Sequence, residues 1–279
     1  MSNLIIKRVG TASKVLVVAA ALLVFAGWFL NTPAGFFGKL DAIGYAVCHR
    51  ISERSFHIGN YQLPLCARCS GMYLGAVTGL VYQAILGWKK VKVPPWSIIG
   101  LVIAFVTVFA IDGANSYLYL MKQVVPGILP NIPNLYVPNN TLRLLTGSGM
   151  GLGMALMLFP AFNQTVWADG EEKAAIPGWK AFGLLLLLQV VLDLLVLTES
   201  PLVLYPLGII SAVGVWLLLT LVYSMVWVML MRRDNQFTRL RQLWLALLAG
   251  LTIAMIQTAV IDILRFWFTG TWGAFPLGQ

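Results

Sequence analysis

The sequence predicts an all-α, polytopic integral membrane protein with about seven transmembrane helices and one short amphipathic helix on the outer face. Composition is the first observation: 59% of the 279 residues are hydrophobic and 10% are charged, whereas a soluble domain is about 25% charged. The second is that long uncharged runs recur along the chain. Together they exclude a soluble globular protein and favour a single transmembrane domain over residues 1–279, located as a multi-pass protein in the inner (plasma) membrane.

Seven stretches are suitable as spans, because a helix that crosses about 30 Å of hydrocarbon needs about 20 apolar residues. Six of these stretches carry no charge, and the fifth contains only Asp193. In chain order they are 15–38, 69–88, 93–111, 144–168, 181–198, 200–231 and 242–261. Prolines such as Pro94, Pro177 and Pro201 lie at or between their ends, where helices usually stop.

Basic residues in short loops predict the orientation, because lysine and arginine favour the cytoplasmic side. With the N-terminus in the cytoplasm and the C-terminus outside, the cytoplasmic segments contain Lys7, Arg8, Lys14, Lys89, Lys90, Lys92, Lys173, Lys180, Arg232, Arg233, Arg239 and Arg241. The first span lacks an A-x-A pattern after it, so we expect an uncleaved anchor. This orientation is sufficient to explain the net charge of +9, and we expect no nucleic-acid partner.

Polar residues accumulate on the outer side, against the usual bias. Seven basic and six acidic residues fall there: Lys39, Arg50, Arg54, Arg68, Lys122, Arg143 and Arg265, with Asp41, Glu53, Asp112, Asp193, Glu199 and Asp262. The outer half of the protein is therefore predicted to contain a polar chamber.

The outer segment 39–69 is rich in Cys, His and Arg, and it contains all three cysteines and both histidines of the chain. Cys66-x-x-Cys69 has the spacing at which one turn supplies two thiolate ligands to zinc. Cys48 with His49 would complete a tetrahedral Cys3His set, and His57 is the alternative fourth ligand. The segment predicts a site for zinc or, as the alternative, iron.

A redox function is the competing interpretation of the same cysteines. In an oxidising compartment Cys66 and Cys69 could form a catalytic disulfide, with Cys48 as the resolving thiol and a membrane quinone as electron acceptor. The odd number of cysteines favours a metal or thiol exchange over a purely structural disulfide.

Three arginines of the segment, Arg50, Arg54 and Arg68, have planar guanidinium groups suited to phosphate or carboxylate. We expect them to bind an anionic substrate at the level of the outer headgroups, together with Thr146. The apolar repeat across residues 39–51 predicts a short amphipathic helix on or in the membrane surface, with Cys48 and Arg50 at its end.

Polar residues at the outer ends of the third and fourth predicted spans form the candidate catalytic set. Asp112 and Asn115 stand three residues apart and share one helix face, as do Asn140 and Arg143 at the start of the fourth span. Because an unpaired charge in a membrane is costly, Asp112 and Arg143 are expected to pair or to face water. The fourth span also carries two small-residue pairs, at 147/151 and 149/153, whose spacing permits close helix contact.

Several of these motifs occur together in a family that the sequence resembles. They are Cys48-His49-Arg50, Arg54-Ser55-Phe56, Pro64-Leu65-Cys66-Ala67-Arg68-Cys69 with Gly71 and Tyr73, Asp112-Gly113 and Arg143-x-x-Thr146-Gly147. Over residues 45–150 the chain resembles a family of prokaryotic integral membrane proteins of unknown function. The resemblance implies a membrane fold but no particular activity.

Three functions are compatible with these residues. The first is a membrane metalloenzyme of unassigned reaction that acts on a lipid or another anionic amphiphile, with Asp112 as acid or base and the arginines as substrate ligands. The second is a thiol–disulfide oxidoreductase that uses Cys66, Cys69 and quinone. The third is a transporter of small solutes or ions, although no inverted repeat is evident and the polar residues lie near one side of the membrane.

Overall fold

The computed structural model describes residues 2–125 and 127–273, and residues 2–11 by their backbone only. The basic side chains of Lys7 and Arg8 therefore lie outside the described part. The described chain is all-helical apart from four short strands. Its helices are α1 (Ser2–Asn31), α2 (Gly35–Val47), α3 (Ala67–Gly87), α4 (Trp96–Val124), α5 (Asn140–Val166), α6 (Trp179–Leu197), α7 (Pro201–Leu230) and α8 (Trp244–Thr269).

Within the described residues, seven helices are long and apolar enough to cross a membrane, namely α1 and α3 to α8. This confirms the predicted fold class and multi-pass membrane location. The spans α3 and α5 are central: 50% and 56% of the residues in their most apolar 18-residue stretches are buried, whereas only 11% are buried in that of α1. Outward-facing leucine, valine and phenylalanine side chains cover the peripheral helices, as expected for contact with lipid.

The connections alternate between the two ends of the bundle. One end, called here the cysteine face, carries residues 32–66, 125, 127–139 and 198–200. It includes the hairpin of β1 (His57–Ile58) and β2 (Tyr61–Gln62). At the opposite end β3 (Lys90–Lys92) pairs in parallel with β4 (Glu171–Ala174), and Lys89 forms an ion pair with Asp169.

Several predicted boundaries differ from the structure. The first span, expected over 15–38, ends at Asn31, and the last, expected to end at 261, continues to Thr269.

The amphipathic helix expected over 39–51 is α2, which begins at Gly35 and ends at Val47, so Cys48 and Arg50 lie in the irregular chain after it. Arg50 has φ 53°, a left-handed backbone conformation that does not continue a helix. Six of the 13 residues of α2 are buried, because the helix packs against α7 and α8.

The third span is longer than predicted. The uncharged run predicts an end at residue 111, but α4 continues to Val124. The helix can extend through Asp112 because this carboxylate is paired with Arg68 of α3, which removes most of the cost of placing a charge there.

A close contact between α3 and α5 forms the centre of the bundle. A Cβ atom added at Gly147 or Gly151 would lie 2.1 Å or 2.0 Å from the carbonyl oxygens of Arg68 and Met72. From the other side, a Cβ atom added at Gly71 or Gly75 would lie 2.3 Å or 2.5 Å from the carbonyl oxygens of Leu144 and Ser148 in α5. The expected small-residue contact at 147/151 is therefore present, and its partner surface is the glycine repeat of α3.

We predict that Gly151→Ala destabilises the protein by about 1–3 kcal/mol, because the added methyl group meets backbone rather than a movable side chain. Thermal or denaturant unfolding in detergent measures the effect. Gly183→Ala in α6 is the matched control, since nothing lies within 4 Å of its added Cβ. The control should be neutral or slightly stabilising, because alanine is the better helix former. Equal stability of the two variants would show that α3 and α5 are not in close contact.

The predicted orientation can be tested with reporter fusions. Alkaline phosphatase requires disulfides that form only outside the cytoplasm, so fusions within 128–135 should be active and fusions within 168–172 inactive. A fluorescent protein that folds in the cytoplasm should show the reverse pattern. Activity of the phosphatase at 168–172 would place the cysteine face in the cytoplasm.

Candidate metal centre and arginine cavity

Three cysteines from two chain segments meet at the cysteine face. Cys48 follows the end of α2, Cys66 precedes the first residue of α3, and Cys69 lies in the first turn of that helix. Their Sγ atoms all lie within 4.8 Å of one another, and all three thiols are free. The predicted C-x-x-C turn and the distant third cysteine are thus brought together in a group that could hold a metal ion.

Backbone contacts hold Cys48 against the start of α3. Its Sγ accepts hydrogen bonds from the backbone N–H groups of Arg50 at 3.4 Å and Cys66 at 3.3 Å. A Cβ on Gly44 would lie 1.9 Å from the carbonyl oxygen of Pro64, so only glycine lets α2 approach the segment before Cys66 this closely.

Arg265 of α8 holds the end of α2 in place. Its guanidinium donates to the carbonyl oxygens of Tyr45, Cys48 and His49, and it lies 3.9 Å from the centre of the Tyr45 ring. The last carbonyls of a helix have no partner within the helix, and a cation there also interacts favourably with the helix dipole. Arg265 therefore fixes the backbone that presents Cys48.

The two histidines differ in position from the cysteine group. Among the described residues, the group of ligating atoms within 4.8 Å contains the three thiols and neither histidine. His49 is exposed and lines the same cavity as the cysteines. His57 lies in β1, where its Nε2 is 3.0 Å from Ser52 Oγ. His49 thus stays the better placed of the two predicted fourth ligands.

The thiols differ in acidity. Hydrogen bonds from Cys48 and Cys69, and the nearby charge of Arg68, hold the pKa of Cys66 well below its usual value. The position of Cys66 at the N-terminus of α3 acts in the same direction. The hydrogen bond to Cys66, together with burial, raises the pKa of Cys48. The first thiolate of the group is therefore expected at Cys66.

Asp112 is bound on all sides by side chains. Arg68 donates to Oδ2 through Nε at 3.1 Å and through a second, shorter contact of Nη2, and Tyr136 donates to Oδ1 at 2.6 Å. Thr146 donates to Oδ2 at 3.3 Å. Asp112 is 1% exposed, and its ion-pair partner is Arg68. This network takes the place of the expected pair with Arg143.

Tyr136 was not identified from the sequence, because it lies in the irregular segment between α4 and α5 and no spacing rule connects it to Asp112. Burial and the hydrogen bond to Asp112 raise the pKa of Tyr136 to about 12. At neutral pH its hydroxyl therefore keeps its proton and donates to the carboxylate.

Asn115 and Asn140 have structural partners. The Asn115 amide donates to the carbonyl oxygen of Tyr136 at 3.0 Å and accepts from the Leu135 N–H at 2.9 Å, so it anchors the segment that carries Tyr136. Asn140 accepts from Arg143 at 3.0 Å and donates to the Glu53 carbonyl oxygen at 3.3 Å. Both predicted catalytic asparagines thus position neighbouring groups in this structure.

A cavity of about 190 Å³ contains the cysteines and four arginines. Its charged and reactive lining consists of Cys48, Cys66, Cys69, His49, Arg50, Arg54, Arg68 and Arg143. Val47, Ile51, Tyr117 and Leu120 complete the wall. The predicted substrate ligands on 50–68 and Arg143 therefore meet in one place, whereas Asp112, Asn115, Asn140 and Thr146 do not line this cavity.

An aspartate and a tyrosine hold the side chain of Arg50 in position. Asp41 of α2 pairs with Arg50 at 2.8 Å and accepts a hydrogen bond from Tyr61 at 3.0 Å. The pKa of Asp41 is raised by burial. A charge at residue 41 was visible in the sequence, but its pairing across nine residues depends on the left-handed turn at Arg50.

We predict that Cys66 is the first cysteine to be alkylated in the metal-free protein at pH 7. Its lowered pKa gives it more reactive thiolate than Cys48, whose pKa is raised and which is 5% exposed. Limited iodoacetamide followed by peptide mass spectrometry measures the order. As the pH rises, modification of Cys48 should appear later than modification of Cys66. Equal labelling of both at pH 7 would contradict the assignment.

Comparison with known proteins is consistent with the membrane fold. Residues 48–157 match the model of a family described as "Predicted membrane protein (DUF2085)". The chain is 28% identical over 145 residues to an uncharacterized protein of the archaeon Methanocaldococcus jannaschii, covering 50% of this chain and 81% of the relative. It is 29% identical over 114 residues to an uncharacterized protein of Methanothermobacter thermautotrophicus, covering 40% and 83%.

No solved structure matches the chain. The matched range 48–157 overlaps most of the range 45–150 over which the sequence resembles a membrane protein family of unknown function. It contains every cysteine and all four arginines of the cavity. The part of the chain that builds this cavity is therefore similar to a predicted membrane protein family.

Proposed function

We propose that this protein is a membrane metalloenzyme that holds zinc, or alternatively iron, at Cys48, Cys66 and Cys69 and binds a lipid or another anionic amphiphile in the adjoining cavity. One observation carries the proposal: three thiols and four guanidinium groups line the same cavity at one end of the bundle. A thiolate cluster alone would suggest a structural metal, and arginines alone would suggest lipid contact. Their shared cavity favours a metal that acts on an anionic substrate.

The donor set fits a thiophilic metal. Thiolates prefer zinc or iron over magnesium and calcium, which prefer oxygen ligands. In a tetrahedral site with Zn–S bonds of about 2.3 Å, the sulfur atoms are about 3.8 Å apart. The observed Sγ atoms lie within 4.8 Å of one another, so small side-chain rotations bring them to that spacing. The N–H groups of Arg50 and Cys66 already donate to Cys48 Sγ, which supports a thiolate there.

Three protein thiolates leave a fourth position for His49 or for a water molecule. With water in the open position, a bound zinc would act as a Lewis acid and lower the pKa of that water to about 7. With His49, the metal would have four protein ligands and a structural role.

The chain's own residues supply the charge for the substrate. Arg54 and Arg143 face the cavity, and Arg68 is fixed by Asp112 and by Ser116 Oγ at 3.0 Å. Asp112 therefore orients a substrate-binding arginine and does not contact the cavity directly. The positive-inside pattern favours the outer leaflet as the location of this site.

A thiol–disulfide oxidoreductase is the second candidate, and the lowered pKa of Cys66 favours it. In this function the thiols of Cys66 and Cys69 would form a disulfide, releasing two protons and two electrons that reduce a membrane quinone to quinol. The same three thiols cannot do this while they hold a metal, so the two functions are distinguishable.

We predict about one zinc or iron per chain in detergent-purified protein, measured by plasma mass spectrometry. Cys48→Ser and Cys69→Ser should each lose most of the metal, because one of three thiolate ligands is removed. A loss on His49→Ala with none on His57→Ala would identify His49 as the fourth ligand.

Thiol counting under nonreducing conditions on the same samples provides the opposing outcome. Absence of metal together with an oxidised Cys66–Cys69 pair would overturn the metalloenzyme and favour the oxidoreductase. Retention of full metal content in both cysteine variants would also overturn the proposed ligands.

A further inference from the structure

The cavity carries four guanidinium groups, and two of them are neutralised by the protein. Arg50 pairs with Asp41 at 2.8 Å, and Arg68 pairs with Asp112. These pairs hold Arg50 and Arg68 at the cavity wall. Among the described residues, Asp41 and Asp112 are the two carboxylates that lie within 4.0 Å of a cavity arginine.

The other two arginines have neutral partners. Arg54 donates to the carbonyl oxygen of Ser116 at 3.2 Å, and Arg143 donates to Asn140 Oδ1 at 3.0 Å. Within the described residues, neither has a carboxylate within 4.0 Å. The cavity wall therefore contains two arginines that form no ion pair with a carboxylate, next to the cysteine group.

Burial makes the charge of Arg143 costly. Arg143 is 6% exposed, and its Nε atom is buried without a hydrogen-bond acceptor, whereas Arg54 is partly exposed. A buried guanidinium is expensive unless it is paired. An anion in the cavity would supply the missing compensation.

The arrangement selects the kind of anion. The guanidiniums come from three segments: Arg50 and Arg54 from the chain after α2, Arg68 from α3 and Arg143 from α5. Groups that approach from several directions suit a tetrahedral oxyanion, whereas one planar carboxylate is satisfied by a single guanidinium. A phosphate monoester carries a charge of about −1.5 to −2 at neutral pH and three acceptor oxygens, so it can pair with both arginines that lack a carboxylate within 4.0 Å.

The size of the cavity determines which part of a ligand enters it. Its volume of about 190 Å³ is below the roughly 300–1,000 Å³ of sites that enclose whole drug-sized ligands. A head group fits, and an attached chain has to lie outside. Val47, Ile51, Leu120 and Tyr117 form the apolar part of the wall, and Tyr117 is 63% exposed on the outer surface of α4, toward lipid.

We propose that the cavity binds the phosphoryl group of a phosphate-headed amphiphile, with Arg54 and Arg143 as its principal ligands and the apolar chain along Tyr117 and Leu120. That such an amphiphile is the substrate rests on the proposed metalloenzyme function. Its binding depends on the arginines and not on the metal.

The test is a calorimetric binding titration of the purified protein in a nonionic detergent. The two probes are inorganic phosphate and decyl phosphate. Arg54→Gln and Arg143→Gln should each weaken decyl phosphate binding by about tenfold or more, because each removes a charge-assisted contact. Lys122→Gln is the matched control. It removes a positive charge from the end of α4 that carries Tyr117 and Leu120, but Lys122 does not line the cavity. Its affinity should equal that of the unmodified protein.

Thermal unfolding shows whether each variant is folded. If Arg143→Gln does not fold, the result for Arg54→Gln, in the segment between α2 and α3, decides the test. Tighter binding of decyl phosphate than of inorganic phosphate supports an amphiphile, whereas equal affinities would overturn the amphiphile in favour of a free phosphoryl ligand. No binding, or equal losses in the control, would overturn the site.

Metal content measured on the same samples separates the two proposals. Metal retained in Arg54→Gln with reduced phosphate binding supports the arginine site independently of the metal. Phosphate binding retained in metal-free Cys48→Ser supports the arginine site as well. Metal present with no phosphate binding in any sample overturns this inference and leaves the metal proposal standing.

Discussion

The close backbone contact between α3 and α5 is the constraint on which the rest of the site depends. The first turn of α3 carries Cys69 and Arg68, and the first turn of α5 carries Arg143. Because glycines at 147 and 151 let the two backbones touch, these turns lie side by side at the cysteine face. A bulkier contact would separate the thiols and Arg68 from Arg143 and open the cavity between them.

The ion pair of Arg68 and Asp112 adds the third helix to this contact. It joins α3 to α4 at a depth where an unpaired charge of either sign would be expensive. The pair, with Tyr136 and Thr146 donating to the same carboxylate, holds the segment between α4 and α5 against the site. One buried acid thus determines the direction of a cavity arginine, the continuation of α4 past residue 111 and the position of an irregular segment.

Much of the site could be predicted from the sequence, and the remainder depended on helix rotation. The C-x-x-C turn brings Cys66 and Cys69 together by local geometry alone, and the arginines of 50–68 are near it in the chain. By contrast, the sequence indicated Arg143 as a partner for Asp112, whereas the packing of α3 against α4 brings Arg68 to this carboxylate instead. Asn115 shared a face with Asp112 as predicted, but whether a polar group faces a cavity or a loop is set by tertiary packing.

The left-handed backbone of Arg50 implies a conflict between stability and function at that position. With φ 53°, the residue adopts a conformation that costs a non-glycine side chain of order 1–3 kcal/mol and that glycine adopts freely. Glycine would therefore give the more relaxed chain, yet arginine occupies the position and its guanidinium lines the cavity. A change of Arg50 to glycine would therefore exchange a guanidinium of the cavity wall for a more relaxed backbone.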